Sequence, residues 1–347
     1  MKVYADYSHY HKENRKYLIG LLTPLWNDLS NEQRINVYGE WITKYSFTDN
    51  PEEADLHLLP MRWDYYIDNG VIDLAETAIN QAHKFNKRIV IFNFSDYTAK
   101  IPFQNVTLFE PSGYRSKKRN YLCYGMPPMT DDNLQIHYGG NPIYRHKNKP
   151  PVIGFCGATS RSRINHVFAS MANSYRKVIS NLGILKWEPP PFETRYFRKQ
   201  VLDAFVNDKR VFPNFILRKN WGGKSTTNFK LDFIRNIYGS DYTICMRGIG
   251  NYSYRFYETL SLGRIPVFIN TDCLLPWDKI INYRELFPWI ELNEIPYAVE
   301  ILLDFHYSHS DDEFIELQKH CRELWLRHFT YRSFNSDFIN YFSQNKF

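Results

Sequence analysis

The sequence predicts an α/β protein of two domains, each built on a parallel β-sheet covered by helices, with further helices at the C-terminal end. Three observations carry this. The chain has 347 residues, long for one domain. Short apolar or β-branched runs alternate with helical stretches, the pattern of parallel sheets covered on both faces. The alternation lapses once, in a stretch rich in Pro, Gly and Asn, and then restarts.

The first domain is expected over residues 1–140. Its strands are the runs Lys2–Tyr7, Ala54–Met61, Arg88–Ser95 and Thr107–Glu110. Helices are expected over Tyr17–Leu29 and Ile72–Phe85. In the second of these Ile72, Ala75, Ile79 and Ala82 recur at helical spacing and form one buried stripe. MPPMTDDN and HYGGNPIYRHKNKPP then break the pattern, and residues 141–151 read as a linker. The second domain, 152–310, opens on VIGFCGATS and continues through NFILRKN, DYTICMRG, RIPVFIN and PWIEL. Residues 311–347 read as helices that pack back on the first domain. Asp311 or Asp312 caps a run with Phe314, Leu317, Cys321 and Leu324 in one stripe, and Ser333 opens a last short helix.

A composition 44% apolar and 17% aromatic supplies two cores and excludes wholesale disorder. A net charge of +6 suits anionic small ligands or an acidic membrane surface. The dense Lys/Arg blocks of a nucleic-acid binder are missing, so nucleic acid is not an expected partner. Cys123, Cys156, Cys245, Cys273 and Cys321 stand far apart with no C-x-x-C, which predicts reduced thiols rather than zinc or disulfides. MKVYADYSHYHKEN leads straight into a β-like run, and no apolar stretch is long enough to span a bilayer. The expectation is a cytoplasmic protein, with peripheral association at the cytoplasmic face of a membrane.

The stretch RGIGNYSYRFYETLSLGRIPVFI, Arg247–Ile269, carries the most chemistry. It follows a strand, turns through Gly248 and Gly250, enters a helix and ends at Gly263 before another strand. Such a turn aims backbone amides and a helix N-terminus at whatever lies in front of it, which favours phosphate. Arg247 and Arg255 supply forked donors for a diphosphate. Glu258, on the same helix face as Arg255, can accept from ribose hydroxyls or simply form a solvated pair with Arg255. A dinucleotide fingerprint would need a third glycine where Ser253 stands and a small residue where Tyr257 stands. With Asp272 at the end of the next strand, an NAD(P)-dependent oxidoreductase stays open as a second reading, and a non-catalytic nucleotide- or carbohydrate-binding protein as a third.

Arg247-Gly248, Tyr252-Ser253 with Arg255, Glu258, Gly263, Ile265-Pro266-Val267 and Leu275-Pro276 with Asp278 resemble the signature of the exostosin family of glycosyltransferases. FTDNPEEADLHLLP is similar to that family's PEEADLFFVP, and GFCGATSRSR to its strand–glycine–arginine loop. The three segments keep the family's order and span most of residues 46–294. Arg264, Tyr252 and Trp277 stand where the family pattern has a cysteine, a serine and a phenylalanine. The resemblance implies a GT-B architecture of two Rossmann-like domains and an inverting transfer from a nucleotide-diphosphate sugar, a UDP-sugar first, to a hydroxyl of a glycan or lipid-linked glycan. It puts Arg247, Ser253 and Arg255 at the diphosphate and Glu258 at the ribose.

An inverting transfer also needs a base for the acceptor proton and cations for the leaving diphosphate. Arg161 and Arg163, after VIGFCGAT, can add to the cations or be ordinary surface charges. Lys224 in NWGGKSTT lacks the spacing of a P-loop. Asp96, after IVIFNFS, is the first candidate base and Asp6 the second; either can instead cap a local turn. His9 and His11 share a face if the first strand runs on, as metal ligands do, or contact the acceptor. No Asp-x-Asp occurs, so the transfer is expected to need no metal and no cofactor beyond the donor.

Overall fold

The structure, a computed structural model, describes residues 1–159, 163–218 and 226–344. The chain divides into two units, one of Met1–Pro127, Leu274–Trp277 and Arg327–Phe347, the other of Pro128–Cys273 and Asp278–Leu326.

The first unit runs β1 (Lys2–Tyr4), α1 (Asn31–Tyr38), β2 (Ser46–Phe47), β3 (Leu56–Leu58), α2 (Trp63–Asp68), α3 (Ile72–Lys84), β4 (Ile89–Phe92), β5 (Thr98–Ala99), β6 (Val106–Glu110) and β7 (Leu122–Gly125). Six of these strands form a parallel sheet in the order β2-β1-β3-β4-β6-β7. β4 and β6 are buried at every position, as parallel strands covered on both faces must be. In α3 Ala75, Ile79 and Ala82 face inward, while Asp73 in the first turn and His83 and Lys84 in the last complement its dipole.

Two expectations fail here. The first strand stops at Tyr4 because the Asp6 carboxylate accepts the Ser8 amide and starts a 3-10 turn over Tyr7–His9. Residues 17–29 contain no α-helix: Pro24 has no amide to donate and disfavours helical backbone at Thr23, and the chain passes through successive turns. The first α-helix comes after that run. Ser30 and Gln33 close a reciprocal capping box at its start.

The second unit runs α4 (Asn133–Tyr138), β8 (Val152–Ala158), α5 (Arg163–Asn181), β9 (Trp187–Glu188), α6 (Thr194–Val206), β10 (Phe212–Arg218), α7 (Thr226–Tyr238), β11 (Tyr242–Cys245), α8 (Tyr254–Ser261), β12 (Ile265–Ile269), α9 (Tyr283–Leu286), β13 (Trp289–Ile290), α10 (Ala298–Ser308) and α11 (Asp311–His328). Its sheet is parallel in the order β10-β8-β11-β12-β13.

The units divide after Pro127 rather than near residue 140. Residues 141–151 have no regular structure, yet they are sewn onto the second unit. Buried Asp241 accepts from the Asn148 side chain at 2.8 Å and from the Val152 amide at 2.8 Å. Gln318 donates to the Arg145 carbonyl at 2.7 Å. The C-terminal helices separate: α11 belongs to the second unit and α12 (Tyr331–Gln344) to the first. Helix α12 starts two residues before Ser333, whose hydroxyl accepts the Thr330 amide. Phe338 of α12 lies 5.6 Å from Phe92 and 5.2 Å from Phe109, ring to ring, at the centre of the first core. Gly125 is required where β7 meets Pro276, since a Cβ there would lie 2.3 Å from the Leu274 carbonyl oxygen.

Candidate functional site

In the second unit's sheet the chain begins at β8, places β10 on one side and β11 on the other, so the topological switch point lies between β8 and β11. Loops leaving those strands diverge, and ligands of open α/β sheets collect in the crevice that results. The guanidinium of Arg198, on α6, bridges the two strand ends. Its Nε donates to the Arg247 carbonyl at 3.0 Å and its Nη1 to the Ala158 carbonyl at 3.3 Å. Arg247 immediately follows the segment that carries β11, and Arg255 comes from α8. Arg218, the last residue of β10, pairs with Asp232 at 2.6 Å.

Arg198, Arg247 and Arg255 are buried. Arg247 is 2% and Arg255 8% exposed. The Arg255 guanidinium lies between the rings of Phe155 and Phe233, 5.2 and 4.5 Å from their centroids. Its Nε is buried with no hydrogen-bond partner among the described residues, and no described carboxylate forms an ion pair with Arg255 or Arg198. Gly157 in β8 makes room for it, since a Cβ would stand 3.2 Å from Arg255 Nη2. Burial, then the charges of Arg255, Arg195 and Arg247, pull Arg198 down to about 9. Burial lowers Arg255 as well, against the attraction of Glu258. Glu258 is raised by burial, with Arg255 and Lys230 pulling the other way. Each shift records charge that an approaching anion or hydroxyl would stabilise.

The turn before α8 is held by hydrogen bonds. The Gly248 amide donates to the Tyr252 carbonyl at 3.1 Å. Arg247 Nη1 donates to Asn251 Oδ1 at 3.0 Å, which also accepts the Thr271 hydroxyl at 2.7 Å. The Asn251 side-chain amide donates to the Asp272 carbonyl at 3.1 Å, tying this turn to the one after β12. Gly250 lies within the turn. Tyr252 is buried, its ring 5.3 Å from that of Tyr254. Ser253 is the N-cap of α8, and its hydroxyl makes no capping bond with the first-turn amides. Gly263 has φ +61°, the left-handed backbone with which helices commonly end. Arg264 holds structure rather than ligand: its guanidinium donates to the carbonyls of Tyr238, Gly263 and Ile143.

Among the other residues singled out in the sequence, Arg161 and Lys224 lie outside the described residues. Arg163 opens α5, and its side chain is likewise outside them. In the first unit the switch point lies between β1 and β3, and the residues after β1 include Asp6 and His9. Asp6 Oδ1 accepts the Ser8 amide at 2.9 Å and its hydroxyl at 2.6 Å, while Oδ2 faces His9 Nε2 at 3.9 Å. His9 is buried beside the Tyr66 hydroxyl at 2.8 Å, and burial lowers its pKa. His11 is exposed and caps the next 3-10 turn, Lys12–Tyr17. With the strand over at Tyr4, the two histidines share no strand face and the paired-ligand arrangement does not form. Asp96 is exposed in the turn after β4, and its carbonyl accepts the Ser112 hydroxyl at 3.0 Å. Among the described residues no three His, Cys, Asp or Glu side chains gather to hold a metal ion.

Sequence reasoning missed Arg198 and Asn251. It also missed Glu110, fully buried at the end of β6, which lies 3.2 Å from Arg119 Nη2 and accepts the Ala99 amide at 2.8 Å. The cysteines are all free; burial raises Cys156, Cys273 and Cys321 and takes Cys245 up to about 12, so none of these four is a ready nucleophile.

No family model and no curated protein matches the chain. Among solved structures, TarM is similar at 12% identity over 73% of this chain and 54% of its own, with a TM-score of 0.33. An alpha1,3-fucosyltransferase is similar at 11% identity over 100% and 90%, with a TM-score of 0.33. A TarM mutant from S. aureus, in complex with fondaparinux, alpha-GlcNAc-glycerol and UDP, shows 11% identity over 73% and 55%, at 0.31. The chain spans about half the length of TarM. Likenesses at this level leave the chemistry to be argued from the site.

Proposed function

We propose that the arginine crevice of the second unit holds the diphosphate of a nucleotide-sugar donor, and that the protein is an inverting glycosyltransferase acting on a hydroxyl of a glycan or lipid-linked glycan. The observation that carries this is the convergence of Arg198, Arg247 and Arg255 at the switch point, with Arg255 Nε buried and without a hydrogen-bond partner among the described residues. A diphosphate satisfies that need, and each charge-assisted bond contributes roughly 1.5–3 kcal/mol when shielded from water. Glu258, one turn further along α8, would accept from the ribose hydroxyls.

In the transfer, the acceptor oxygen attacks the anomeric carbon as the bond to the diphosphate breaks. The diphosphate leaves with the bonding electrons, and the arginines stabilise its charge as it develops. That work needs no metal, so transfer should persist in EDTA; loss restored by Mn²⁺ would contradict it. For the base, the order Asp96 then Asp6 is reversed. Asp6 lies at the switch point of its own sheet, with Oδ1 fixed by Ser8 and Oδ2 holding no hydrogen bond to a described residue. Asp6→Asn should abolish transfer while leaving donor binding unchanged, and Asp96→Asn should not; the opposite result would return the role to Asp96.

The first test is thermal shift against UDP, GDP and NAD(H), since a ligand bound only to the folded state raises its stability. Stabilisation by UDP or GDP is expected. Stabilisation by NAD(H) alone would sink the reading in favour of an oxidoreductase, although the Gly-x-Gly turn follows β11 rather than β8, the first strand of this sheet. Binding of a UDP-sugar with neither transfer nor hydrolysis would mark a binding module.

A further inference from the structure

Helix α5 is amphipathic the wrong way round for a solvent-facing helix. Val167, Phe168, Met171, Tyr175 and Val178, with Leu182 just past its end, recur at helical spacing and are 54–69% exposed. Its inward face is polar instead. The Asn173 side chain donates to the Pro190 carbonyl at 2.8 Å, Lys177 to the Pro191 carbonyl at 2.6 Å and Ser180 to the Trp187 carbonyl at 3.2 Å. His166 stacks on Tyr196 with ring centroids 3.9 Å apart. These bonds fix which face points outward, so the exposed stripe is not a helix awaiting its own core.

The charge of the segment says what covers the stripe. From Thr159 to Trp187 the sequence contains no Asp or Glu, while Arg161, Arg163, Arg176, Lys177 and Lys186 are all cationic. Arg176 and Lys186 are exposed. A second copy docked through the same face would meet like charge at the exposed Arg176 and Lys186, and this segment offers it no acid. An anionic bilayer surface meets both halves of the pattern, apolar residues entering the acyl boundary and Lys/Arg pairing with lipid phosphates.

We propose that α5 is a membrane-surface helix that lays its Val167–Leu182 stripe, roughly 22 Å long, on an anionic phospholipid bilayer. The helix lies in the interface and does not span it; no described helix is long and apolar enough to cross a membrane. The inference does not depend on the donor assignment, although it would bring the protein to a lipid-linked acceptor.

The test is co-sedimentation of the full chain with vesicles of phosphatidylcholine alone or with added phosphatidylglycerol. The protein should sediment with the anionic vesicles and much less with the neutral ones. Met171→Glu with Val178→Glu, both at exposed positions, should weaken that binding at least about tenfold with an unchanged unfolding midpoint. Arg176→Glu with Lys186→Glu should weaken it selectively on anionic vesicles. Failure of the unaltered protein to sediment, or equal sedimentation of the apolar-face variant, would overturn the proposal. So would light scattering that shows a dimer which Met171→Glu dissociates, since the stripe would then be a self-interface.

Discussion

Glu258 and Arg255 share one face of α8 without a hydrogen bond between them, and this is where the proposed site makes its sharpest residue-scale prediction. Burial holds the Glu258 carboxyl above its ordinary value, so the folded state binds more protons than the unfolded one. Stability therefore falls as pH rises through the window above the usual Glu range. Glu258→Gln should be more stable than the unaltered protein at neutral pH, with the advantage vanishing at acid pH; chemical denaturation at several pH values measures it. The same variant should weaken UDP but leave pyrophosphate binding unchanged, because pyrophosphate has no ribose. An equal loss on both ligands would remove Glu258 from the ribose. Arg247, Arg255 and Glu258 were legible because one contiguous stretch carries them. Arg198 lies about fifty residues upstream, and only the strand order brings it to the same crevice. A signal did exist: Arg198 falls on the stripe with Val201 and Phe205, a position where a helix otherwise buries apolar side chains.

Among the elements, helix stripes are legible in the sequence where strand ends are not. The stripe on α3 and the Phe314–Leu324 face of α11 follow from spacing alone, whereas β1 ends where a side chain, Asp6, competes for the backbone. The sequence sends both C-terminal helices to the first domain; in the structure α12 lies in the first unit and α11 in the second, because the aromatic face of α12 meets the β4–β6 rings. Phe338 lies against Phe92, Phe109 and Phe342, the last with centroids 4.4 Å apart. Phe338→Ala should cost about 3–5 kcal/mol in the first unit, seen as a lower urea midpoint, while UDP binding to the second unit persists in the urea range where that unit stays folded. A variant with an unchanged midpoint would show that α12 is not part of the first core.

For the whole molecule, acid sensitivity follows from histidines buried in both units. His9 and His57 lie in the first and His306 in the second, each with its pKa lowered chiefly by burial. Lys147 adds to the effect at His306, and at His57 the bond to the Pro51 carbonyl, 2.8 Å from Nε2, opposes it. A lowered folded-state pKa means that the unfolded chain takes up protons first. Stability is thus full above about 6.5 and is lost as pH falls below that value, until the folded-state values are passed. Because the effect lies in both units, both unfolding transitions should move to lower urea between pH 7 and pH 5. A two-unit chain need not unfold in one step, so a probe in each unit is required. His57→Gln keeps a side-chain donor near the Pro51 carbonyl but cannot titrate, so the first transition should lose less stability over that interval than in the unaltered protein. An identical pH slope in the two proteins would mean that His57 is protonated as readily in the folded chain as in the unfolded one.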